Sequence, residues 1–359
     1  MKICFISPGT FEHVQSYIDF FKENGHEVYF LALSPTPDRN VKTINCFLGR
    51  NELKDKRPKK WQYVMSAIIA KFLISKIKPD IVHAHFATSS GLAAWIIGHR
   101  NTIISAHGTD VNAGVESTFW RYFLKQFFKS AKIVHVVSQQ LENKVANLGI
   151  SKNKICNLNV GIPVEKFRIS RTNNDNDELK LLCNRSFETV YDHQTILDSL
   201  LCLRDKNVNL KLTLIGDGSL KGRLIRFVKD NNLESNVTFI GRIPYEEQIK
   251  YFKNNHIYIS SSLSDGTSLS LLEALSAGLY PVVSDISANT EWIEDGVNGA
   301  LFPIKEPNYL ASLLEKLFND RKNIFKVSSI NQNLVDKKGS RSKNMIELEN
   351  IYKRVLDGK

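Results

Sequence analysis

The sequence predicts an α/β protein made of two doubly wound domains, each a parallel sheet covered by helices on both faces. At 359 residues the chain is about twice the size of a common domain, so two compact units are expected. Short apolar runs rich in β-branched residues alternate with segments of helical period along the whole chain. Glycine and polar residues gather directly after these runs, at the edge where open parallel sheets bind ligands.

The apolar runs predict two series of strands. The first series is Lys2 to Ile6, Glu27 to Leu33, Asp80 to Ala84, Thr102 to Ala106 and Lys132 to Val137. The second series is Leu179 to Cys183, Lys211 to Ile215, Val237 to Ile240, His256 to Ser260 and Pro281 to Ser284. Residues 171–178 contain no apolar side chain and are typical of an exposed linker.

These runs divide the chain into four parts. We expect a first domain at residues 1–168, a linker at 169–178 and a second domain at 179–335. The last apolar segment, within residues 336–359, is predicted to form a helix that returns to the first domain.

The composition predicts a cytoplasmic protein. Lys71 interrupts the best candidate for a membrane span, Val64 to Ile77, before it reaches the roughly 18 apolar residues required. The start of the chain meets Pro8 and Gly9 before an apolar core of signal-peptide length develops. The cysteines are scattered and lack metal-binding spacing, so we expect reduced thiols: Cys4, Cys46, Cys156, Cys183 and Cys202.

The net charge is divided unequally between the two halves. Residues 1–168 hold 23 Lys and Arg against 12 Asp and Glu, whereas residues 169–359 hold 25 of each. The whole net charge of +11 therefore lies in the first half, which indicates an acidic partner such as nucleic acid, anionic lipid or a phosphorylated acceptor. Nucleic acid is the least favoured of these, because the sequence has no recognisable nucleic-acid motif and its aromatic residues lie on predicted helices.

Two predicted helices of the first half combine aromatic and basic residues. The first carries Trp61, Val64, Met65, Ile68, Ile69 and Phe72 and follows Lys54, Lys56, Arg57, Lys59 and Lys60. The second carries Phe119, Trp120, Phe123, Leu124, Phe127 and Phe128 beside Arg121, Lys125, Lys129 and Lys132. Packing on the sheet is the favoured interpretation of both apolar faces. The cations would also suit peripheral association with an anionic inner leaflet that presents a lipid-diphosphate acceptor.

The segment from Ser260 to Gly278 is typical of an anion-binding strand, loop and helix. Free amides at the start of this helix, at Ser268, Leu269 and Ser270, would accept a diphosphate. Asp265 precedes them and Glu273 follows about one turn later, which places the carboxylates roughly 10 Å apart. One carboxylate would hold a ribose and the other a transferred sugar. Alternatively, both acids only favour the helix dipole.

Arg185 directly follows the first strand of the second domain, where a guanidinium can grip a phosphate with two hydrogen bonds. The alternative is a surface ion pair between Arg185 and Glu188. The only Asp-x-Asp pair, Asp175 and Asp177, lies in the polar linker, so we predict no metal requirement and no cofactor.

Histidines follow two strands of the first domain. His107 and Asp110 enclose a glycine after the strand Thr102 to Ala106, where an imidazole can donate to a sugar hydroxyl or a phosphate. His83 and His85 alternate on another strand, so only one is expected to face the ligand, and His85 is favoured.

These segments resemble glycosyltransferase family 4, retaining glycosyltransferases of the two-domain type called GT-B. The family has a Glu-x7-Glu element followed by an Ala-x-Ala/Cys-Gly-x-Pro-Val-Val-x-Ser-Asp pattern. This chain has Asp265 in place of the first Glu, then Glu273-Ala-Leu-Ser-Ala-Gly-Leu-Tyr-Pro-Val-Val-Ser-Asp285. Further matches are His107-Gly-Thr-Asp110, Asn159 to Phe167, Leu214 to Gly218 and Val237 to Pro244.

The resemblance implies two Rossmann-like domains that face an interdomain cleft. It implies that the donor is a nucleotide sugar, such as a UDP- or GDP-sugar, and that the acceptor is a glycan or a lipid-linked molecule of bacterial surface polysaccharide synthesis. It makes His107 and Asp265 the catalytic contacts, with Asp110 ordering its loop and His85 near the acceptor. The implied donor-binding residues are Gly9, Arg185, Ile243, Gly266, Thr267, Ser268, Leu269, Ser270 and Glu273.

The chain departs from the family in one further respect. Family members commonly have a lysine several residues after the arginine at position 185, and none is present here. Either Tyr191 or His193 substitutes by hydrogen bonding, or the helix amides carry more of the phosphate charge. A sugar-nucleotide epimerase or hydrolase of the same fold and a catalytically silent partner subunit are the alternative functions.

Overall fold

The computed structural model describes residues 1–9, 12–34, 42–46, 60–108, 110–111, 117–171 and 178–358. The chain forms two compact units, residues 1–160 with 343–359 and residues 161–342. Several predicted features lie outside the described residues, namely Lys54, Lys56, Arg57, Lys59, Asp175 and Asp177.

The first unit is built on a parallel sheet whose strands are covered on both faces. Residues Ile3 to Ile6 of its first strand are completely buried, as expected for a strand between two helical layers. The strands are β1 (Lys2–Ser7), β2 (Glu27–Ala32), β3 (Lys42–Asn45), β4 (Ile81–His85), β5 (Thr102–Ala106), β6 (Ile133–Val136) and β7 (Ile155–Asn157). The helices are α1 (Glu12–Glu23), α2 (Lys60–Ile77), α3 (Ser89–Ile97), α4 (Thr118–Ser130) and α5 (Gln139–Asn147).

The second unit repeats this architecture. Its strands are β8 (Leu179–Cys183), β9 (Leu210–Ile215), β10 (Val237–Gly241), β11 (Ile257–Ser260), β12 (Tyr280–Ser284) and β13 (Ala300–Phe302). Its helices are α6 (Val164–Phe167), α7 (His193–Cys202), α8 (Lys221–Asp230), α9 (Tyr245–Asn254), α10 (Leu269–Ser276), α11 (Ser287–Thr290), α12 (Pro307–Asn319), α13 (Arg321–Lys326) and α14 (Ser328–Lys338). The last helix of the chain is α15 (Arg341–Leu356).

The six strands of the second sheet follow the order of the first six strands of the seven-stranded first sheet. The order is β3-β2-β1-β4-β5-β6-β7 in the first unit and β10-β9-β8-β11-β12-β13 in the second, and every pairing is parallel. The order reverses between β1 and β4 and again between β8 and β11. Ligands of doubly wound sheets bind at the carboxyl ends of the strands that flank such a reversal.

The predicted α/β class and all ten predicted strands are confirmed, within two residues at each end. Three further strands, β3, β7 and β13, were not predicted from the sequence. All three are edge strands of three or four residues, too short for the pattern of buried residues that marks the central strands.

The boundary between the units lies at residue 160 rather than at 168. Ile162 and Phe167 are completely buried in the core of the second unit. The predicted linker is also partly packed, because the Arg171 side chain donates hydrogen bonds to the carbonyls of Ala277, Asn255 and Phe252. The polar composition of residues 171–178 gave no sign that Arg171, the first of them, would bind to the second unit.

The end of the chain divides between the two units. Residues up to 342 belong to the second unit, where Val335 of α14 is buried. Residues 343–359 belong to the first unit, where Tyr352 is buried and stacks on Phe21 at 4.8 Å between ring centroids. No helix in the described ranges is long and apolar enough to cross a bilayer.

Candidate active site

The polar residues of the second unit converge at the reversal of strand order. Arg185 lies two residues beyond β8, and residues 261–268 connect β11 to α10. The loop that follows β8, which carries Arg185, is joined to the loop that follows β9. The Phe187 amide of the first loop donates to the Asp217 carbonyl of the second at 3.0 Å. Gly216 permits this close approach, because a Cβ atom there would lie 2.4 Å from the carbonyl oxygen of Arg185.

Arg185 is a buried cation at the start of α10. One nitrogen of its guanidinium donates to the Asp265 carboxylate and another donates to the Ser268 hydroxyl at 3.0 Å. The Tyr191 ring stacks on the guanidinium, 4.1 Å from ring centroid to Cζ. Burial opposes the charge, but the facing Asp265 carboxylate and nearby groups outweigh it and raise the pKa of Arg185. The guanidinium is therefore permanently charged and held in one orientation.

The alternative of a surface ion pair with Glu188 is wrong. The Glu188 carboxylate accepts from the Ser219 amide at 2.9 Å and from the Ser219 hydroxyl. It thereby caps the loop after β9, and Arg185 is left to pair with Asp265.

Asp265 uses both of its carboxylate oxygens within the loop. Oδ1 accepts from the Gly266 amide at 2.8 Å, and Oδ2 accepts from Arg185. Its predicted contact with the donor sugar would therefore be made by a carboxylate that is already oriented by a guanidinium. Thr267 follows in the same loop and leads into the helix.

Ser268 is the N-cap of α10, and its hydroxyl accepts from the Leu271 amide. The amides of the first helical turn, which include those of Leu269 and Ser270, have no carbonyl of a preceding turn to bond. With Arg185 beside them, they make the start of α10 strongly favourable for an anion. The predicted anion site and the predicted arginine are thus brought together by the fold.

Glu273 lies one turn into α10 and is 5 % exposed. Burial raises the pKa of Glu273 to about 7, although hydrogen bonds from Tyr245 and Asn184 favour the charged form. Asn184 also donates to the Gln248 side chain at 3.0 Å. The carboxylate is therefore oriented by two side chains and poised to ionise near neutral pH.

Asn184 and Tyr245 are functional candidates that the sequence analysis missed. Asn184 is a polar residue placed directly after a buried strand, the same signal that identified Arg185. Tyr245 begins α9, and nothing local to its sequence indicates the contact with Glu273. Ile243, predicted to meet the nucleotide base, is half-buried between β10 and α9.

Tyr191 and His193 were the two candidates to replace the missing lysine. The Tyr191 ring stacks on the Arg185 guanidinium, a contact that does not involve the Tyr191 hydroxyl. His193 is 1 % exposed, its Nε2 lies 3.7 Å from the Cys183 sulfur, and burial lowers its pKa to about 4. A neutral, buried imidazole cannot supply the positive charge of a lysine, so compensation by the Tyr191 hydroxyl or by the helix amides stays a prediction.

In the first unit, His85 and His107 are brought into contact. His85 Nδ1 and His107 Nε2 are 3.0 Å apart, and their rings stack at 5.3 Å between centroids. Asp110 accepts from the amides of His107 and Gly108 with one oxygen and from the Ala87 amide with the other. The loops after β4 and β5 are therefore joined by one buried carboxylate.

The expectation that only one of His83 and His85 faces the ligand rested on a wrong geometric assumption. Residues two apart on a strand share a face, and the two rings stack at 4.3 Å between centroids. Both side chains are completely buried, and they differ in their partners instead. His83 contacts Tyr352 and Ser105 inside the core, whereas His85 lies at the strand end beside His107.

Gly9 follows β1 on the other side of the strand-order reversal in the first unit. Its carbonyl accepts from the Ser7 hydroxyl at 2.7 Å. For metals, the described part of the chain contains no group of three or more His, Cys, Asp or Glu side chains that could hold an ion.

Comparison with known proteins identifies the class of both units. The family model described as Glycosyltransferase Family 4 matches residues 9–166, and the one described as Glycosyl transferases group 1 matches residues 165–332. An uncharacterized glycosyltransferase of Methanocaldococcus jannaschii is 24% identical over 300 residues, which are 82% of this chain and 81% of that protein. The amylovoran biosynthesis glycosyltransferase AmsK of Erwinia amylovora is 25% identical over 250 residues, 66% of this chain and 61% of AmsK.

A solved structure agrees with the fold of the whole chain. HepE of Anabaena in complex with UDP-glucose superposes with a TM-score of 0.75 at 13% sequence identity, covering 98% of this chain and 99% of HepE. Both predicted Rossmann-like domains are confirmed by this match. The chain belongs to the group 1 glycosyltransferases and has the GT-B fold.

Proposed function

We propose that this glycosyltransferase moves a sugar, with retention of its anomeric configuration, from a UDP- or GDP-sugar to a glycan or a lipid-linked acceptor. The observation that carries the proposal is the Arg185 guanidinium, which Asp265 and Ser268 hold beside the start of α10. The proposed setting is bacterial surface polysaccharide synthesis, supported by the similarity to AmsK, an amylovoran biosynthesis glycosyltransferase.

The donor site follows from the charges of the second unit. A departing nucleoside diphosphate accumulates negative charge, and a fixed guanidinium with oriented amides stabilises that charge without rearrangement. Glu273, one turn away, is the group for the ribose, because a carboxylate accepts well from paired hydroxyls. HepE is described in complex with UDP-glucose, which supports a donor of this chemical class.

We propose that the reaction requires no metal ion and no cofactor. The positive charge that a divalent ion would supply is provided by Arg185 and the α10 amides. Tyr191 further screens the guanidinium from water by stacking on it.

Retention is proposed to proceed without an enzymic nucleophile. Both oxygens of the Asp265 carboxylate already accept hydrogen bonds, so this group is better suited to orient the sugar than to attack it. The acceptor oxygen forms its bond to the anomeric carbon on the face from which the diphosphate leaves. The acceptor proton passes to a phosphate oxygen as the bond between sugar and phosphate breaks. His107, supported by His85, is proposed to donate to the sugar or the phosphate.

The test is to incubate the purified protein with a panel of nucleotide sugars, with and without glycan and lipid-linked acceptors. We expect a glycosylated product only when an acceptor is present, with the anomeric configuration of the donor by NMR. Activity should persist in a chelator. An inverted anomer would contradict retention, and activity lost in chelator but restored by Mn²⁺ or Mg²⁺ would contradict metal independence.

The same assay separates the competing functions. Donor consumed equally fast without any acceptor would indicate an epimerase or a hydrolase. The absence of nucleotide binding would indicate a silent partner subunit. Arg185 contacts Ser268, and Glu273 accepts from Asn184. Because both charged groups are oriented, nucleotide binding is favoured over a silent partner subunit.

The affinity for the nucleotide sugar is expected to rise about tenfold between pH 6 and pH 8. Burial raises the pKa of Glu273 to about 7, and ribose hydroxyls donate to its ionised form. The fraction of protein with an ionised Glu273 therefore increases as the pH rises through 7 and decreases as the pH falls. Calorimetry across this range measures the effect, and Glu273→Gln is the control. An equal pH dependence in Glu273→Gln would contradict the assignment.

A further inference from the structure

Helix α2 exposes a stripe of large apolar side chains on the first unit. We define the α2 stripe as Trp61, Val64, Met65, Ile68 and Phe72. These side chains are exposed by 58%, 40%, 38%, 50% and 59%, respectively. At 3.6 residues per turn the five positions fall within an arc of about 100° and extend over about 16 Å of helix. They therefore form one continuous surface.

The opposite side of α2 makes the contact with the rest of the unit. Ser66, Ala67, Ala70 and Ile74 are buried there, and α2 packs on α3. The expectation that the apolar face of this helix packs on the sheet is therefore wrong for the α2 stripe. The buried side of α2 therefore consists mainly of small residues, and the larger apolar side chains of the α2 stripe are in solvent.

Cations flank the α2 stripe on both sides. Lys71 and Lys76 are exposed at its two margins, and the Lys76 ammonium lies 4.3 Å from the centre of the Phe72 ring. The helix contains no acidic residue. Both sides of α2 are rich in apolar residues, but of these only the α2 stripe faces solvent. An exposed apolar patch with cations at its margins suits a lipid interface, with the apolar side chains at the acyl boundary and the lysines among the headgroups.

A neighbouring helix continues the same chemistry. Helix α3 packs between α2 and α4, and α4 exposes Phe119 by 64% and Tyr122 by 61%. Arg121 and Lys129 of α4 are also exposed, and α4 contains no acidic residue. Both helices lack acidic residues and lie in the half of the chain that carries the whole net charge of +11. Because the cations are spread over two helices, they suit an extended anionic surface better than a small ligand.

We propose that the α2 stripe docks the protein on an anionic lipid bilayer. The apolar side chains enter the headgroup region, and the flanking lysines contact lipid phosphates. A bilayer is favoured over a protein partner because the exposed surface is a convex helix face with positive charge on both margins, and a continuous anionic plane can meet both at once. The proposal is independent of the glycosyl transfer assigned above.

The test is flotation of the full chain with phosphatidylcholine vesicles, either pure or containing about one-third phosphatidylglycerol. We expect binding to the anionic vesicles, little binding to the neutral ones, and release at high salt. Ile68→Asp combined with Phe72→Asp is expected to lower the partition coefficient at least tenfold. Ile225→Asp is the matched control, because Ile225 is an isoleucine of the second unit with 42% exposure.

A second measurement locates the inserted residues. Lipids brominated in the acyl chain should quench the tryptophan fluorescence of the wild type, and Trp61→Phe should remove most of that quenching. Unchanged binding by the double variant would overturn the proposal. So would a loss of self-association in that variant without vesicles, since the α2 stripe would then be an interface between copies of the chain. Unchanged circular dichroism confirms that the variants fold.

Discussion

Replacing Arg185 by alanine is expected to lower kcat/KM for sugar transfer by about 10³-fold or more, which corresponds to about 4 kcal/mol of transition-state stabilisation. The guanidinium is buried, permanently charged, and oriented by Asp265, Ser268 and Tyr191. Water cannot replace such a group when the diphosphate leaves. Steady-state kinetics with the donor identified in the panel measures the loss.

Three variants make this result specific. Arg185→Lys keeps the charge but loses the forked geometry, so its activity should fall between wild type and Arg185→Ala. Asp265→Asn removes the charge that faces Arg185 and should impair transfer more than nucleotide binding. Arg226→Ala, an exposed position on α8, should leave activity unchanged.

Thermal unfolding must accompany these assays, because removing one partner of a buried ion pair costs about 3–5 kcal/mol of stability. Full activity in a folded Arg185→Ala protein would contradict the site assignment.

Replacing His107 by alanine is expected to lower kcat by about 10²-fold to 10³-fold while leaving the nucleotide affinity unchanged. His107 belongs to the first unit, whereas Arg185, Asp265 and Glu273 belong to the second. A loss confined to kcat would therefore give each unit a separate part in the reaction. Single-turnover kinetics and nucleotide calorimetry together make this distinction.

The contact between the two histidines supplies the controls for that experiment. His85→Ala removes the group 3.0 Å from His107 Nε2 and should cause a smaller loss of kcat than His107→Ala. His99→Ala changes another half-buried histidine of the same unit, which bonds the Pro79 carbonyl, and should have little effect. If His107→Ala and His99→Ala behave alike, the catalytic assignment of His107 fails.

The fold was predictable because its signals are local. A central strand such as β5 is buried on both faces, so it contains no charged residue, and its limits were predicted correctly. Edge strands such as β13 carry no such signal. The family was predictable for a similar reason, because the segment from Glu273 to Asp285 combines a helix, its glycine stop at Gly278 and the next strand in one contiguous pattern.

The sequence predicted which residues form the site, but it did not predict which of their side chains contact each other. Arg185 and Asp265 were both identified from their positions after strands, yet their contact depends on β8 lying next to β11 in the sheet. The roles of Asn184 and Tyr245 beside Glu273 depend on the same arrangement. Contacts between residues far apart in sequence follow from strand order, which no local pattern specifies.

The two-domain α/β architecture and the group 1 glycosyltransferase family are readable from the amino-acid sequence, because strand periodicity, glycine stops and the family segments are encoded in short stretches. The ion pairs and the exposed surfaces depend on contacts between distant segments and therefore required the structure. Arg185 is paired with Asp265 rather than Glu188 because the loops that follow β8 and β11 meet. The α2 stripe is exposed because the opposite side of the helix, which includes Ala67 and Ala70, is the side buried when α2 packs in the first unit.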